Sequence, residues 1–220
     1  GTSVNLIFGA TSTETNFAGY QIFYKQGVAA VTKADTEHID GDLADILYNG
    51  TSSTTINTLS PGTQYSFKIF ANDLYGNVSQ SGQVSLTTNS APTGTFNSAV
   101  QKTDGAGRVD ISIEVYDTNG DECTAKLEYV AGLACDFSTP LDPSLDEDPA
   151  YFSTDFGTIG IENDNTYQVG TATAKIITSS GSNTVNFDWL SQVDIPTAEG
   201  DYCLRLTVHD ETDDQINLAT

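Results

Sequence analysis

Leu59-Ser-Pro-Gly-Thr-Gln-Tyr65 leads into Gln64-Tyr-Ser-Phe-Lys-Ile-Phe-Ala71, where Tyr65, Phe67, Ile69 and Ala71 alternate with polar partners. A period of two marks a strand half covered by a core. Outward from this stretch the same pattern returns. Val4, Leu6 and Phe8 share one face of Ser3 to Phe8, and Tyr20, Ile22 and Tyr24 share one face of Gly19 to Lys25. Ser53 to Asn57 and Gln83 to Thr87 are further short runs, the last following the Gly76-Asn77 turn and the Ser79 to Gly82 loop. Val28 to Tyr48, crowded with Asp35, Glu37, Asp40, Asp42 and Asp45, reads as a long loop with one helical turn near its end. Strands at this spacing with turns between them predict an all-β sandwich.

Composition agrees. The 220 residues suffice for two ordinary domains, and 30 Thr and 19 Ser with no Met favour sheet over helix. Acidic residues outnumber basic ones 30 to 8, for a formal charge of −22. Such a surface repels nucleic acid phosphates and anionic lipid, so no nucleic acid partner is expected, and the charge reads as solubility in a salty or external medium. No stretch approaches the ~18 apolar residues of a membrane span, so no membrane insertion is expected, and no secretory leader pattern opens the chain.

Leu59 to Tyr65, followed by Phe67, Ile69, Ala71, Asp73 and Gly76-Asn77, resembles the E–F corner and F strand of a fibronectin type III domain. The resemblance covers residues 1 to about 88. It implies that Leu59 plugs the core and that the Tyr65 hydroxyl bonds back to the corner backbone. Gly19 to Tyr24 is similar to strand C of that family, and Phe8 stands where strand B usually carries Trp. Strand A, which should precede Ser3, is essentially absent. Either the chain is cut from a longer protein, or a neighbouring molecule fills that edge by β-strand addition.

Asn89-Ser-Ala-Pro-Thr-Gly94 reads as a linker, giving domains 1–89 and 90–220. In the second, Val109, Ile111, Ile113 and Val115 form a period-two stripe. Asp117-Thr-Asn-Gly-Asp121 then reads as a hairpin turn into a strand at Thr124 to Val130. Later strands are expected at Tyr167 to Thr178, Thr184 to Trp189 and Asp201 to Val208, with a long acidic insertion over 135–166. Asp104 to Asp110, Glu128-Tyr129, Asn186 to Trp189 and Arg205 to Asp210 together resemble immunoglobulin-like repeats of large secreted bacterial surface proteins. That resemblance implies a stalk or spacer role. In an immunoglobulin-like sheet the end of strand C lies beside the start of strand F, which implies a Cys135–Cys203 disulfide and leaves Cys123 reduced.

Asp117, Asn119 and Asp121, with Glu128 further on, nearly satisfy the calcium-loop pattern, but Glu122 stands where its last turn position needs Gly and Glu128 falls in a strand. A plain hairpin turn is preferred, and calcium through Asp117, Asn119 and Asp121 is the one metal named; no other cofactor is expected. The acidic clusters at Asp35 to Asp45, Asp142 to Asp148 and Asp210 to Asp214 read as solvated loop charge, with calcium at loops the alternative. Asn49-Gly-Thr51 and Asn77-Val-Ser79 are glycosylation sequons. His38 and His209 sit in no nucleophile motif, so no enzyme is expected. The expectation is an extracellular or cell-surface structural or adhesive module of a surface-layer, stalk or filament protein. Its partners would be other copies of itself or neighbouring modules of a longer protein. The alternative is a glycan-binding or accessory region of a secreted hydrolase.

Overall fold

The computed structural model describes residues 1–8, 15–43, 50–148, 157–178, 183–197 and 200–220. The chain is all-β and divides into two compact units, Gly1–Asn89 and Ser90–Thr220. Among the described residues no helix is long and apolar enough to cross a membrane.

In the first unit β1 (Val4–Ile7) pairs antiparallel with β4 (Ser53–Ile56). A second sheet has β2 (Phe17–Gln26) beside β3 (Thr36–His38) and β5 (Gln64–Asp73), with β6 (Val78–Gln80) and β7 (Val84–Thr87) on the far side of β5. Val4 and Ile56 from one sheet and Ile22, Tyr65 and Phe67 from the other enter one buried cluster, as in a β-sandwich. The acidic stretch read as a loop contains β3, paired with Ile22 to Tyr24, and a 3₁₀ turn at Gly41–Leu43. Three residues without an apolar stripe carry no legible period, and their pairing comes from β2. β6, which overlaps the expected Ser79 to Gly82 loop, was hidden for the same reason.

The corner is built on Tyr65. Its ring is buried, and its hydroxyl accepts from the Ser60 N–H at 3.1 Å and from Gln26 Nε2 at 3.3 Å. Leu59 is buried beside it, and its N–H donates to the Thr2 carbonyl at 2.9 Å. Thr88 closes the other side, its hydroxyl donating to the Ser60 carbonyl at 2.6 Å and accepting from the Thr63 N–H at 3.0 Å.

In the second unit the sheets are β11 (Thr184–Trp189)–β9 (Val109–Tyr116)–β8 (Thr93–Gln101) and β10 (Thr124–Ala131)–β12 (Tyr202–His209), and one helical turn, α1 (Ser191–Asp194), follows β11. Ile111, Ile113 and Phe187 of one sheet and Leu127, Leu206 and Val208 of the other share one buried core. Three expectations are corrected. β9 and β10 do not form a hairpin: β9 lies between β8 and β11, β10 pairs with β12, and residues 117–123 cross from one sheet to the other. The linker gives way at Thr93 to β8, whose small polar residues and single aromatic, Phe96, showed no stripe. Gly94 lets it lie close to β12, where a Cβ would collide with Val208. Residues 167–178 form isolated bridges, to Ala125 and Cys123 among others, rather than a strand.

The insertion is not simply solvated. Leu145, Ile159 and Ile161 enter the core, and Asp146 is buried against the Arg108 guanidinium. Asp188, also buried, takes Lys102 Nζ at 2.7 Å and Arg108 at 3.3 Å. Glu128, on β10, takes Lys126 at 2.8 Å and Arg205 of β12 at 2.6 Å. Arg108, Glu128, Asp188 and Arg205, quoted above only as spaced positions, thus bond in pairs across the fold.

Two measurements check this account. Tyr65→Phe keeps the ring but strands the Ser60 N–H, and is expected to cost about 1–2 kcal/mol in urea unfolding of the first unit; an unchanged midpoint would remove the hydroxyl from the folding balance. For Glu128, burial raises the carboxyl, but Lys126 and Arg205 outweigh it, so its pKa lies below the ordinary glutamate value. Its stabilisation is therefore present above that value and lost as pH falls through the folded pKa. Glu128→Gln should be destabilising at neutral pH, with the gap from the parent closing in the acid range; a gap independent of pH would refute the linkage.

Candidate metal centre

The residues that cross between the sheets bring three carboxylates together. Asp117 follows β9, and its Oδ1 accepts from the N–H groups of Asn119 at 2.8 Å and Asp121 at 3.0 Å. Gly120, at φ 77°, completes the turn by donating to the Asp117 carbonyl at 3.2 Å. Asp210 follows β12 in the same manner, its Oδ1 accepting from Thr212 at 2.9 Å and Asp213 at 2.7 Å. The register Thr124↔His209 carries Asp210 to the end of the sheet where the crossing arrives. One oxygen from each of Asp117, Asp121 and Asp210 lies within 4.8 Å of the others.

Asp117 is 0% exposed and Asp210 3%, while Asp121 is open to solvent. Asp117 Oδ2 is buried without a hydrogen-bond partner. Leaving such an oxygen unsatisfied costs about 1–3 kcal/mol, and more when it is charged. Two carboxylates no farther apart than this repel by at least about 3 kcal/mol at an effective dielectric of 20. Burial, then the charges of Asp117 and Asp210, raise the Asp121 carboxyl above the ordinary value. Burial, with the same three carboxylates behind it, pushes the Cys123 thiol up to about 12. An all-oxygen set of this kind suits a hard divalent cation rather than a soft one.

Of the metal residues expected from sequence, Asp117 and Asp121 meet, while the Asn119 side-chain oxygen is engaged by Ser90. That oxygen accepts from the Ser90 N–H and hydroxyl, both at 2.9 Å. Glu128 is taken by Lys126 and Arg205. Asp210 supplies the third carboxylate, and the reading of it as solvated is corrected. Its place in the acidic run after Arg205-Leu-Thr-Val-His209 was visible, but only the β10–β12 register shows that the run returns to Asp117.

Cys135 and Cys203 are joined by a disulfide with Cα atoms 5.4 Å apart, beside the β10–β12 pair Val130↔Cys203. Cys123 is free and buried. Asn77 lies exposed in the β5–β6 turn, where its side-chain amide donates to Asp73 at 2.7 Å; Asn49 is outside the described residues. His38 Nε2 is 2.8 Å from the Thr54 hydroxyl, which donates to Asp40 at 2.5 Å. The hydroxyl therefore stands between imidazole and carboxylate, the reverse of the order a nucleophile relay needs. His209 stacks on Tyr167 with centroids 4.8 Å apart.

No protein-family description and no curated protein matches the sequence. Among solved structures, chitinase ChiA74 from Bacillus thuringiensis is similar at 22% identity and a TM-score of 0.29, over 86% of this chain and 24% of that one. The chain thus spans about a quarter of that protein's length.

Alkylation with mass readout tests the cysteines. The folded chain without reductant should resist modification, the unfolded chain without reductant should take one adduct, and full reduction should expose all 3. Reduction should also cost the second unit about 2–4 kcal/mol. Three adducts without reductant would rule the pairing out.

Proposed function

We propose that the chain is a non-enzymatic extracellular structural or adhesive segment, a fibronectin type III-like sandwich followed by an immunoglobulin-like one, that joins its neighbours by strand addition at β1. The observation that carries this reading is the outer edge of β1. Among the described strands β1 pairs only with β4. The Phe8 N–H donates to the Ser52 carbonyl at 2.9 Å. The alternation of an antiparallel ladder then turns the backbone groups of Val4 and Leu6 toward β4, and those of Asn5 and Ile7 toward the open edge. Beside that edge lies a cavity of about 360 Å³ lined by Leu6, Phe8, Ile22, Phe67, Ile69 and Val84. An extended segment with alternating apolar side chains satisfies both features at once, the backbone by ladder bonds and the cavity by side chains.

Other observations support the setting. A disulfide persists in oxidising compartments, which favours an external location. The Tyr65 corner and the pairing of β2 with β5 support the fibronectin-type reading of the first unit. For the glycan-binding alternative a row of exposed rings is needed, and among the described residues Tyr75 is the one aromatic in the exposed class.

The test is sedimentation across a concentration series. Self-association is expected in the parent and should be lost in Ile7→Pro. Ile7 is 76% exposed, and its N–H is not spent on β4, so proline there removes the edge donor and spares the β1–β4 ladder. A parent that stays monomeric throughout, or a proline variant that associates as before, would sink strand exchange.

A further inference from the structure

We infer that Asp117, Asp121 and Asp210 form a calcium site that ties the crossing between β9 and β10 to the turn after β12. The cluster alone would be ordinary acidic loop charge. What distinguishes it is Asp117, which is fully buried, has one oxygen held by two backbone N–H groups, and keeps the other buried with no hydrogen-bond partner. A carboxylate oxygen taken out of water in that state requires a cation or a proton. No protein cation fills this role: among the described residues Asp117 and Asp121 make no ion pair, and the nearby Lys175 is engaged with Glu211 and Glu122.

The donor set selects the ion. Oxygens ligating calcium at about 2.4 Å can stand up to about 4.8 Å apart, and the three oxygens of this cluster lie within that limit. Zinc prefers nitrogen and sulfur, and the cluster offers carboxylate oxygens. Magnesium keeps most of its water and uses one or two carboxylates, so a third adds little. Calcium takes 6–8 oxygens with loose geometry, and the solvent-open side at Asp121 leaves room for water to complete the shell. The two buried carboxylates are already oriented by their own turns, so the ion orders little on arrival.

This inference is independent of strand addition at β1, because it concerns only the second unit. The experiment is calorimetric titration and thermal melting of the full chain, stripped with chelator and returned to calcium chloride, magnesium chloride or sodium chloride of matched ionic strength. One saturable calcium site is expected, with a rise of roughly 5–10 °C in one melting transition at a hundredfold excess over Kd. Asp210→Asn should weaken calcium at least tenfold. Asp121→Asn, at an exposed position, should fold, melt no lower than the parent without metal because it relieves repulsion, and lose the calcium shift. No shift at about 10 mM calcium, above the range of ordinary extracellular modules, would overturn the site. So would an equal shift from magnesium or sodium, or a full calcium shift retained in Asp121→Asn.

Discussion

At the crossings that follow β4 and β9, and at the turn by which the chain folds back on β12, N–H groups leave the ladder and a side-chain oxygen accepts them. The Tyr65 hydroxyl takes Ser60, the Asp117 carboxylate takes Asn119 and Asp121, and the Asp210 carboxylate takes Thr212 and Asp213. Backbone groups that are buried must be satisfied, so these acceptors determine where the crossings can run. Within the first unit the apolar stripe of β5 faces β1 and β4, and within the second that of β9 faces β12, with the corners beyond them closed in this way. The neutral hydroxyl completes its corner. A carboxylate that uses one oxygen for the backbone brings a second oxygen and a charge into the same place.

Charge is distributed under a shortage of cations. All 8 basic residues have tasks among the described residues. Lys25 pairs with Asp35, while Lys33 and Lys68 stand over the Phe70 ring at 5.4 and 5.9 Å. The other five pair with acids of the second unit, two of them on the buried Asp188 and two on the buried Glu128. Removing one member of such a set leaves a buried charge alone, which costs more than the intact pair contributes.

How much of this was legible in the sequence depended on apolar period and on distance along the chain. β1, β2, β5, β9 and β12 carry stripes of Val, Ile, Leu, Tyr or Phe, and their positions follow from alternation. β3, β6 and β8 are built from Thr, Glu, Ser, Gln and Asn with few apolar side chains, and they are strands because a neighbour pairs with them. Asn119-Gly120 looked like a hairpin because local chemistry cannot distinguish a turn within a sheet from a crossing between sheets. Asp117 and Asp121 were legible from spacing. Asp210 was not, since 93 residues of chain, 117 to 210, separate it from its partner and only the Thr124↔His209 register brings it back.

The bond between Cys135 and Cys203 has a mechanical side. It closes a loop of 68 residues that lies wholly inside the second unit, between β10 and β12. When the ends of that unit are pulled apart, force passes through the two sulfur atoms and bypasses everything between them. At about 3.5 Å per extended residue, roughly 240 Å of chain is withheld from extension. Even with its sheets torn open, an oxidised unit stays short, and the long acidic insertion bears none of the load.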